Sequence, residues 1–379
     1  MGHEFLGEIV ALGPAYDDPA RLKRPALYPT LKVGDRIISP FTSSCAECNF
    51  CRIGLSSRCV ESKLFGSLAL PGAQAQYVRI PKAGGTLFLV PRLPSTRGVI
   101  DESLLLLGDV LPTGYFAALQ ALRHPNLQTL IGPDHTPFPG SWMLATSVHQ
   151  PYSPTELSDD EKVITCAVVG LGPVGICALV SLLDMLDSMQ RKYKVLAIDP
   201  NQARRAKGAK ILAKLGHNRD PAVLVVSPDE ALGALKQLNL PFGCHTVLGV
   251  VGNNAALELS YNLIHPFGVI SSVGVHTNPV FPLTGDELYA KNVSLSFGRC
   301  PVRALHPYAL DVLVRHQDVF GSVGGDAGLI DKVVGMHDEE VKAVYADFEA
   351  GRVGKCLLAP WGFTGDALEL QYDVQKINK

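Results

Sequence analysis

Apolar and polar positions follow two different rhythms along this chain. Up to about residue 95 the apolar residues come in short runs broken by Gly, Pro and charge. Residues 8–13 (Glu-Ile-Val-Ala-Leu-Gly) read as a strand running into a turn, and 33–38 (Val-Gly-Asp-Arg-Ile-Ile) as a Gly-Asp turn entering another. Residues 74–81 alternate as a strand does, and 14–31, rich in Pro and charge, read as an exposed loop. Short strands joined by loops predict a small barrel-like β domain. Helical spacing begins near 103–107 and returns at 112–122. From Lys162 the rhythm changes. Residues 163–169 form an unbroken apolar run, as in a parallel strand buried on both faces. A helix follows with Ile176, Leu179, Val180 and Leu183 on one face. Further strands are predicted at 195–199, 223–226, 246–251, 269–273 and 293–297, with helices between them. That alternation is the signature of a doubly wound parallel sheet. The chain then carries helices at 308–314 and 338–349, the second with Val341, Val344, Tyr345 and Phe348 on one face, and a strand at 355–358.

Between the two rhythms, residues 123–161 hold many prolines, three histidines (His124, His135, His149) and the acidic run Asp159-Asp160-Glu161. They read as a linker-like insertion rather than a site. At 379 residues the chain has room for two ordinary domains, and 47% hydrophobic against 18% charged residues supports a large core. Thirty-four basic and 36 acidic residues leave a formal charge of −2, which points to neither nucleic acid nor an anionic membrane surface as partner. No apolar run has the length of a membrane span; the longest, 176–186, is broken by Ser181 and Asp184. The first residues show no basic region followed by an apolar one, so a cytoplasmic, reducing setting with free or metal-bound thiols is expected.

Cysteine usage adds chemistry. Cys45, Cys48, Cys51 and Cys59 are separated by two, two and seven residues. Four thiolates so close in sequence can surround one tetrahedral Zn²⁺, and a four-cysteine shell leaves no position for substrate. The spacing therefore predicts a structural zinc lobe at 45–59. Unrelated thiols or two disulfides are the alternatives, and the scatter of the other five cysteines argues against them. Those five, Cys166, Cys177, Cys244, Cys300 and Cys356, occupy apolar or strand contexts and read as packing thiols.

A second pattern is Gly170-Leu171-Gly172-Pro173-Val174-Gly175, lying between a predicted strand and an amphipathic helix. In a dinucleotide fold the first glycine makes the tight turn, the second lets the backbone approach the pyrophosphate, and the third lets helix and sheet pack closely. The helix N-terminus then faces the phosphates. Asp199 closes the next predicted strand, 24 residues after Gly175, slightly beyond the usual ~20. A carboxylate there binds ribose hydroxyls and repels a 2′-phosphate, so NAD is expected rather than NADP, with Arg204 and Arg205 close by. A third pattern is Gly2-His3-Glu4, with Asp109 far along the chain, just before the helix leading into the α/β part. A junction between domains is where a substrate cleft is expected.

The order Gly-His-Glu, Gly-Asp-Arg-Ile, the cysteine lobe, Pro-Thr-Gly-Tyr, Gly-Leu-Gly-Pro-Val-Gly and a closing Val-Gly-Lys resembles the zinc-dependent medium-chain alcohol dehydrogenase family over nearly the whole chain. The stretches beginning at Asp109 and Gly298 look most like its formaldehyde dehydrogenase-like branch, in which an Asp replaces a Cys as catalytic zinc ligand. The resemblance implies an α/β chain: a GroES-like β-barrel catalytic domain over 1–108, a Rossmann NAD-binding domain over 109–305 with the insertion at about 123–161, and a return segment over 306–379. It implies a catalytic zinc on His3 and Asp109, with Glu4 beside it or exchanging as ligand. Thr113 would lie by the nicotinamide, Arg204 by the adenosine ribose and Lys355 by the pyrophosphate. The implied reaction is hydride transfer between a small alcohol, or hydrated aldehyde, and NAD, in a homodimer or homotetramer. Family members carry a segment before Gly-His-Glu that supplies a first cysteine ligand and begins a proton relay. This sequence starts one residue before the motif. The expectation is thus an N-terminally incomplete β domain, with Met1 an internal methionine of a longer protein. The competing readings are a catalytically impaired NAD- and zinc-binding protein and, opposed by His3-Glu4 and the lobe, a zinc-free reductase.

Overall fold

The computed structural model describes residues 1–18, 20, 23, 30–91, 96–131, 158–217, 222–325 and 327–360. Half of the 14–31 loop, and the greater part of the expected insertion with His135 and His149, lie outside them. The chain divides into two compact units, Met1–Pro112 with Pro301–Lys379, and Thr113–Cys300. Residues 109–112 and 301–305, expected with the nucleotide domain, thus belong to the first unit. Their bonds explain this: the Val110 N–H donates to Glu4, and Arg303 donates to the Gly85 carbonyl.

The first unit carries a three-stranded antiparallel sheet, β1 (Phe5–Glu8), β2 (Arg36–Ser39) and β3 (Phe88–Leu89), in that order. One side packs Ile9, Tyr16, Leu31, Ile37 and Leu87 together. Phe5 meets Phe65 edge to face at 5.1 Å over Leu70. Two expectations shift here. The first strand occupies Phe5–Glu8 rather than 8–13, because the Ile9 N–H and carbonyl are taken by the turn at Gly34 and Asp35. Residues 74–81 form no strand. Their alternation is one of burial alone: Val78 and Ile80 pack inward while Tyr77 and Arg79 are exposed. The helix expected from 308 starts at Val302 and runs through Pro307 to Arg315. Helix Asp338–Glu349 lies between β10 (Ile330–Gly335) and β11 (Lys355–Ala359), which pair in parallel.

The second unit is a six-stranded, wholly parallel sheet in the order β6-β5-β4-β7-β8-β9. Its strands are β4 (Ile164–Val169), β5 (Tyr193–Ile198), β6 (Val223–Val226), β7 (Cys244–Gly249), β8 (Ile264–Ser272) and β9 (Ser294–Phe297). All six residues of β4 are buried, as a central strand covered by helices on both faces requires. Crossover helices Pro173–Ser188, Gln202–Lys214, Pro228–Gln237, Asn254–Leu263 and Gly285–Lys291 link successive strands. Capping boxes start two of them, Ser227 with Glu230 and Thr284 with Glu287. The strand order reverses at β4, and ligands of such sheets bind beyond the carboxyl ends of the strands at that point. Among the described residues, no single helix is long and apolar enough to cross a membrane.

Candidate functional site

Three groups of side chains carry the chemistry, two in the first unit and one in the second. In the cysteine lobe, Cys48 caps the short helix Asn49–Arg52, which holds Cys51, and Cys59 follows the 3₁₀ turn Ser56–Arg58. Gly54 sits at φ +87° in the bend between them. The chain thereby folds back on itself, and the four Sγ atoms all lie within 4.8 Å of one another. A zinc tetrahedron with ~2.3 Å bonds needs sulfurs about 3.8 Å apart, so the quartet has the size of the ion. Backbone amides point at the sulfurs: Cys45 N–H donates to Cys59 Sγ at 3.3 Å, and Cys48 N–H to Cys45 Sγ at 3.3 Å. Such donors favour thiolate over thiol. N–H groups of Cys51 and Val60 bring the Cys48 thiol down to about 6, while burial pushes its neighbour Cys51 up. Without a cation these thiolates repel one another, which a divalent ion relieves. Among the described residues no disulfide forms; of the other five cysteines Cys166, Cys177, Cys244 and Cys300 are buried and Cys356 half-buried.

The second group joins residues distant in sequence. His3 and Glu4 immediately precede β1. Asp109 follows the 3₁₀ turn Leu106–Gly108 and starts helix Val110–Leu122. The turn is pinned to β2, because a Cβ on Gly108 would lie 2.7 Å from the Ser39 carbonyl oxygen. This brings His3 Nε2 to 3.0 Å from Asp109 Oδ2. The hydrogen bond to Asp109 raises the imidazole pKa against the lowering effect of burial. Glu4 faces elsewhere. Its Oε1 accepts from the Val110 N–H at 3.2 Å, and its Oε2 pairs with Lys355 Nζ from β11. Lys355, expected by the cofactor pyrophosphate, therefore has its ammonium on the Glu4 carboxylate, since a cation is what a buried carboxylate needs. Among the described residues, only the cysteine quartet gathers three or more metal-ligating atoms this tightly; His3 and Asp109 make a pair without Glu4. Thr113, buried, opens the second unit.

The third group is the strand–turn–helix at the carboxyl end of β4. Gly170 has φ +104°, which glycine adopts without strain. A Cβ on Gly175 would lie 1.9 Å from the Gly170 carbonyl oxygen. Packing alone therefore demands glycine at both positions. At Gly172 a Cβ would meet nothing within 4 Å. That glycine answers to no neighbour in the protein, as expected where a ligand backbone must approach. Pro173 occupies the first helical turn, and Val174 follows. Asp199, 2% exposed, ends the next strand. Its Oδ2 accepts from the Leu171 N–H at 2.7 Å and its Oδ1 from the Asn201 N–H at 2.8 Å, which fixes it to the glycine turn. Arg204 Nη1 lies 3.8 Å from Oδ2, whereas Arg205 donates to the carbonyls of Asp199 and Pro200. Glycines, open backbone and buried acid together fit a dinucleotide. Val250 and Val251, which sequence reasoning passed over, wall the turn: a Cβ on Gly170 would lie 2.4 Å from Val251 Cγ2 and 2.9 Å from Val250 Cγ2. Their position straight after a buried parallel strand was the available signal.

Residues 1–92 match the family "Alcohol dehydrogenase GroES-like domain". The chain is 36% identical over 321 residues to zinc-type alcohol dehydrogenase B of Aspergillus flavus, an alignment covering 85% of this chain and 61% of that protein. It thus spans less than two thirds of that relative. It is 34% identical over 289 residues to the medium chain reductase/dehydrogenase ucsI of an Acremonium species, covering 76% of this chain and 78% of that one. The fold is shared with the alcohol dehydrogenase TADH from Thermus sp. ATN1, with a TM-score of 0.67 at 22% identity over 95% of this chain and 83% of that one. On these likenesses, the chain belongs to the zinc-type medium-chain alcohol dehydrogenase family.

Proposed function

We propose that the protein is an NAD-dependent, zinc-dependent oxidoreductase acting on a small alcohol or hydrated aldehyde. The observation that carries the reading is the pairing of His3 Nε2 with Asp109 Oδ2 at 3.0 Å, between residues 106 positions apart. In this reading the cysteine quartet holds a structural zinc through Cys45, Cys48, Cys51 and Cys59. His3 and Asp109 are ligands of a second, catalytic zinc. An aspartate in that role is the mark of the formaldehyde dehydrogenase-like branch. Bound zinc would supply Lewis acidity to an alcohol or carbonyl oxygen. The chain's own residues do the rest. Lys355 neutralises Glu4, so that one carboxylate fewer competes for the metal. Thr113 is assigned to the nicotinamide end of the cofactor. Gly172, Val174 and Gly175 would present backbone N–H groups to the pyrophosphate; Gly170, whose own N–H donates to the Ile198 carbonyl, makes the turn, Pro173, which has no N–H, starts the helix, and the helix dipole would favour the phosphate charge. Asp199 binds the adenosine ribose and disfavours a 2′-phosphate, with Arg204 alongside. The cofactor so held would supply hydride exchange with the alcohol carbon.

A second copy of the chain is the proposed partner. β9 is an open sheet edge, and Val275, Val280, Phe281, Tyr289 and Phe297 are exposed apolar residues of the same unit.

Metal analysis combined with NAD⁺-dependent oxidation of formaldehyde and simple primary alcohols tests the assignment. The expected result is two zincs per chain and turnover, with His3→Ala and Asp109→Asn each losing one zinc and most of the activity. Turnover unchanged in both variants would refute the zinc assignment. One zinc, NADH binding and no turnover would favour the catalytically impaired reading.

A further inference from the structure

Helix Val302–Arg315 of the first unit carries a cation, Arg303, in its first turn. The start of a helix is its positive end, so an arginine there is unfavourable unless negative charge lies against it. The contacts of Arg303 lead to the cysteine lobe. Its Nη1 donates to the Gly85 carbonyl at 2.9 Å and to the Leu87 carbonyl at 3.4 Å. The guanidinium also leans on Phe88, 5.6 Å from the ring centre, and His306, one turn further along the helix, stacks on the same ring. Gly85 in turn is pressed onto a cysteine of the lobe: a Cβ there would lie 2.6 Å from the Cys45 carbonyl carbon. The Gly85 carbonyl also accepts from Ser44 Oγ at 2.7 Å. A second contact lies at Gly54, in the bend between Cys51 and Cys59, where a Cβ would come 3.4 Å from Ala304 Cβ. The first turn of the helix therefore packs on the lobe at two places.

A half-buried guanidinium needs a counter-charge. Among the described residues no carboxylate pairs with Arg303, and both of its hydrogen-bond acceptors are neutral carbonyls. Burial lowers its pKa from the ordinary arginine value, and the charge of Cys51 acts in the opposite sense. Four thiolates outweigh one divalent ion by two negative charges, so the loaded lobe supplies what the guanidinium lacks. The lobe's own Arg52 and Arg58 are exposed, where water screens them. We infer that Arg303 is the counter-cation of the cysteine lobe, a positioning residue that stabilises the metal-loaded thiolates and so sets how firmly the lobe keeps its zinc. This role rests on the structural-zinc reading of the quartet and adds to it a residue far from the four cysteines in sequence.

Competition for zinc between the protein and a chromogenic chelator tests it, on the His3→Ala background so that the lobe metal alone is read. Arg303→Gln keeps a donor for the carbonyls and removes the charge. It is expected to weaken zinc binding by about tenfold or more, as loss of one partly buried charge beside the centre does. Arg303→Lys keeps the charge and should stay within about threefold of the parent. A role in packing alone would cost stability whether or not metal is bound. Urea denaturation of the zinc-loaded and zinc-free forms separates the two, and Arg303→Gln should lower the midpoint of the loaded form only. Unchanged zinc binding in Arg303→Gln, equal weakening in the Gln and Lys variants, or an equal fall of midpoint in both forms would overturn the role of Arg303 and leave the zinc lobe standing. If Arg303→Gln does not fold, Arg303→Lys decides: retention within about threefold supports the role, and a loss of about tenfold overturns it. If Cys51→Ser on the same background removes no zinc, the structural-zinc reading falls and the role of Arg303 falls with it.

Discussion

At the scale of single residues, the Glu4–Lys355 pair is the most exposed to perturbation by mutation. The two side chains are only 12% and 11% exposed, and they tie the segment before β1 to β11. Removing one member of a buried ion pair leaves an uncompensated charge, which typically costs ~3–5 kcal/mol. Lys355→Met is therefore expected to destabilise the protein by about 3 kcal/mol in urea denaturation. Glu4→Gln placed on that background should restore much of the loss, because it removes the orphaned charge. The double-mutant cycle would then report strong coupling. Near-additive losses would show that water already solvates Glu4. The His3–Asp109 pair differs, with side chains 45% and 20% exposed. Its value is positional, and substitutions there should move metal content far more than stability.

At the scale of elements, the strand–turn–helix at β4 separates packing from function. Gly172 and Gly175 look alike in the sequence motif, yet their surroundings differ. Gly175→Ala would drive a methyl to within 1.9 Å of the Gly170 carbonyl, so the helix must shift, at a cost of roughly 2–4 kcal/mol. Gly172→Ala meets no protein atom within 4 Å. It should leave the melting temperature within a degree or two and still weaken NADH by at least tenfold, an estimate for a methyl facing a bound pyrophosphate. Equal loss of stability in both variants would contradict this division. The legibility of the fold follows the same physics. β4 was readable because a strand buried on both faces must be apolar throughout, and helix Asp338–Glu349 because its apolar residues recur at helical spacing. β3 has only two residues, too short for any period, and residues 74–81 bury alternate side chains without a pairing strand. The cysteine quartet was readable because its ligands are local. The meeting of His3 with Asp109 was suggested only by family resemblance, since nothing in the residues between them states that the turn at Gly108 packs on β2.

At the scale of the whole molecule, each unit buries a histidine that must remain neutral, and this sets an acid limit on stability. In the second unit, His245 Nδ1 accepts from the Thr165 N–H at 3.1 Å, so the proton resides on Nε2. Burial, reinforced by the neighbouring His265, brings its pKa down to about 4. In the first unit, His306 stacks on Phe88 at 3.9 Å with an interplanar angle of 4°. Its Nδ1 is buried without a hydrogen-bond partner. Burial, with Arg303 adding to it, brings this ring to about 4 as well. In the unfolded chain both titrate near ~6.5. Between pH 6.5 and 4 the unfolded state therefore binds protons that the folded state refuses, so stability is full above the unfolded value and falls as the pH drops through this window. Each histidine is expected to remove about 2 kcal/mol between pH 7 and pH 5. Below about pH 4 both states are protonated, and these two groups cause no further loss. Zinc release by protonated thiols acts over the same range, so the decisive measurement is a difference between variants. Urea denaturation at pH 7 and pH 5 should show the loss shrinking by about 2 kcal/mol in His306→Leu and by a similar amount in His245→Gln. It should remain unchanged in a variant of the exposed His337. If the acid loss is the same in all of these variants, the buried histidines are not its source.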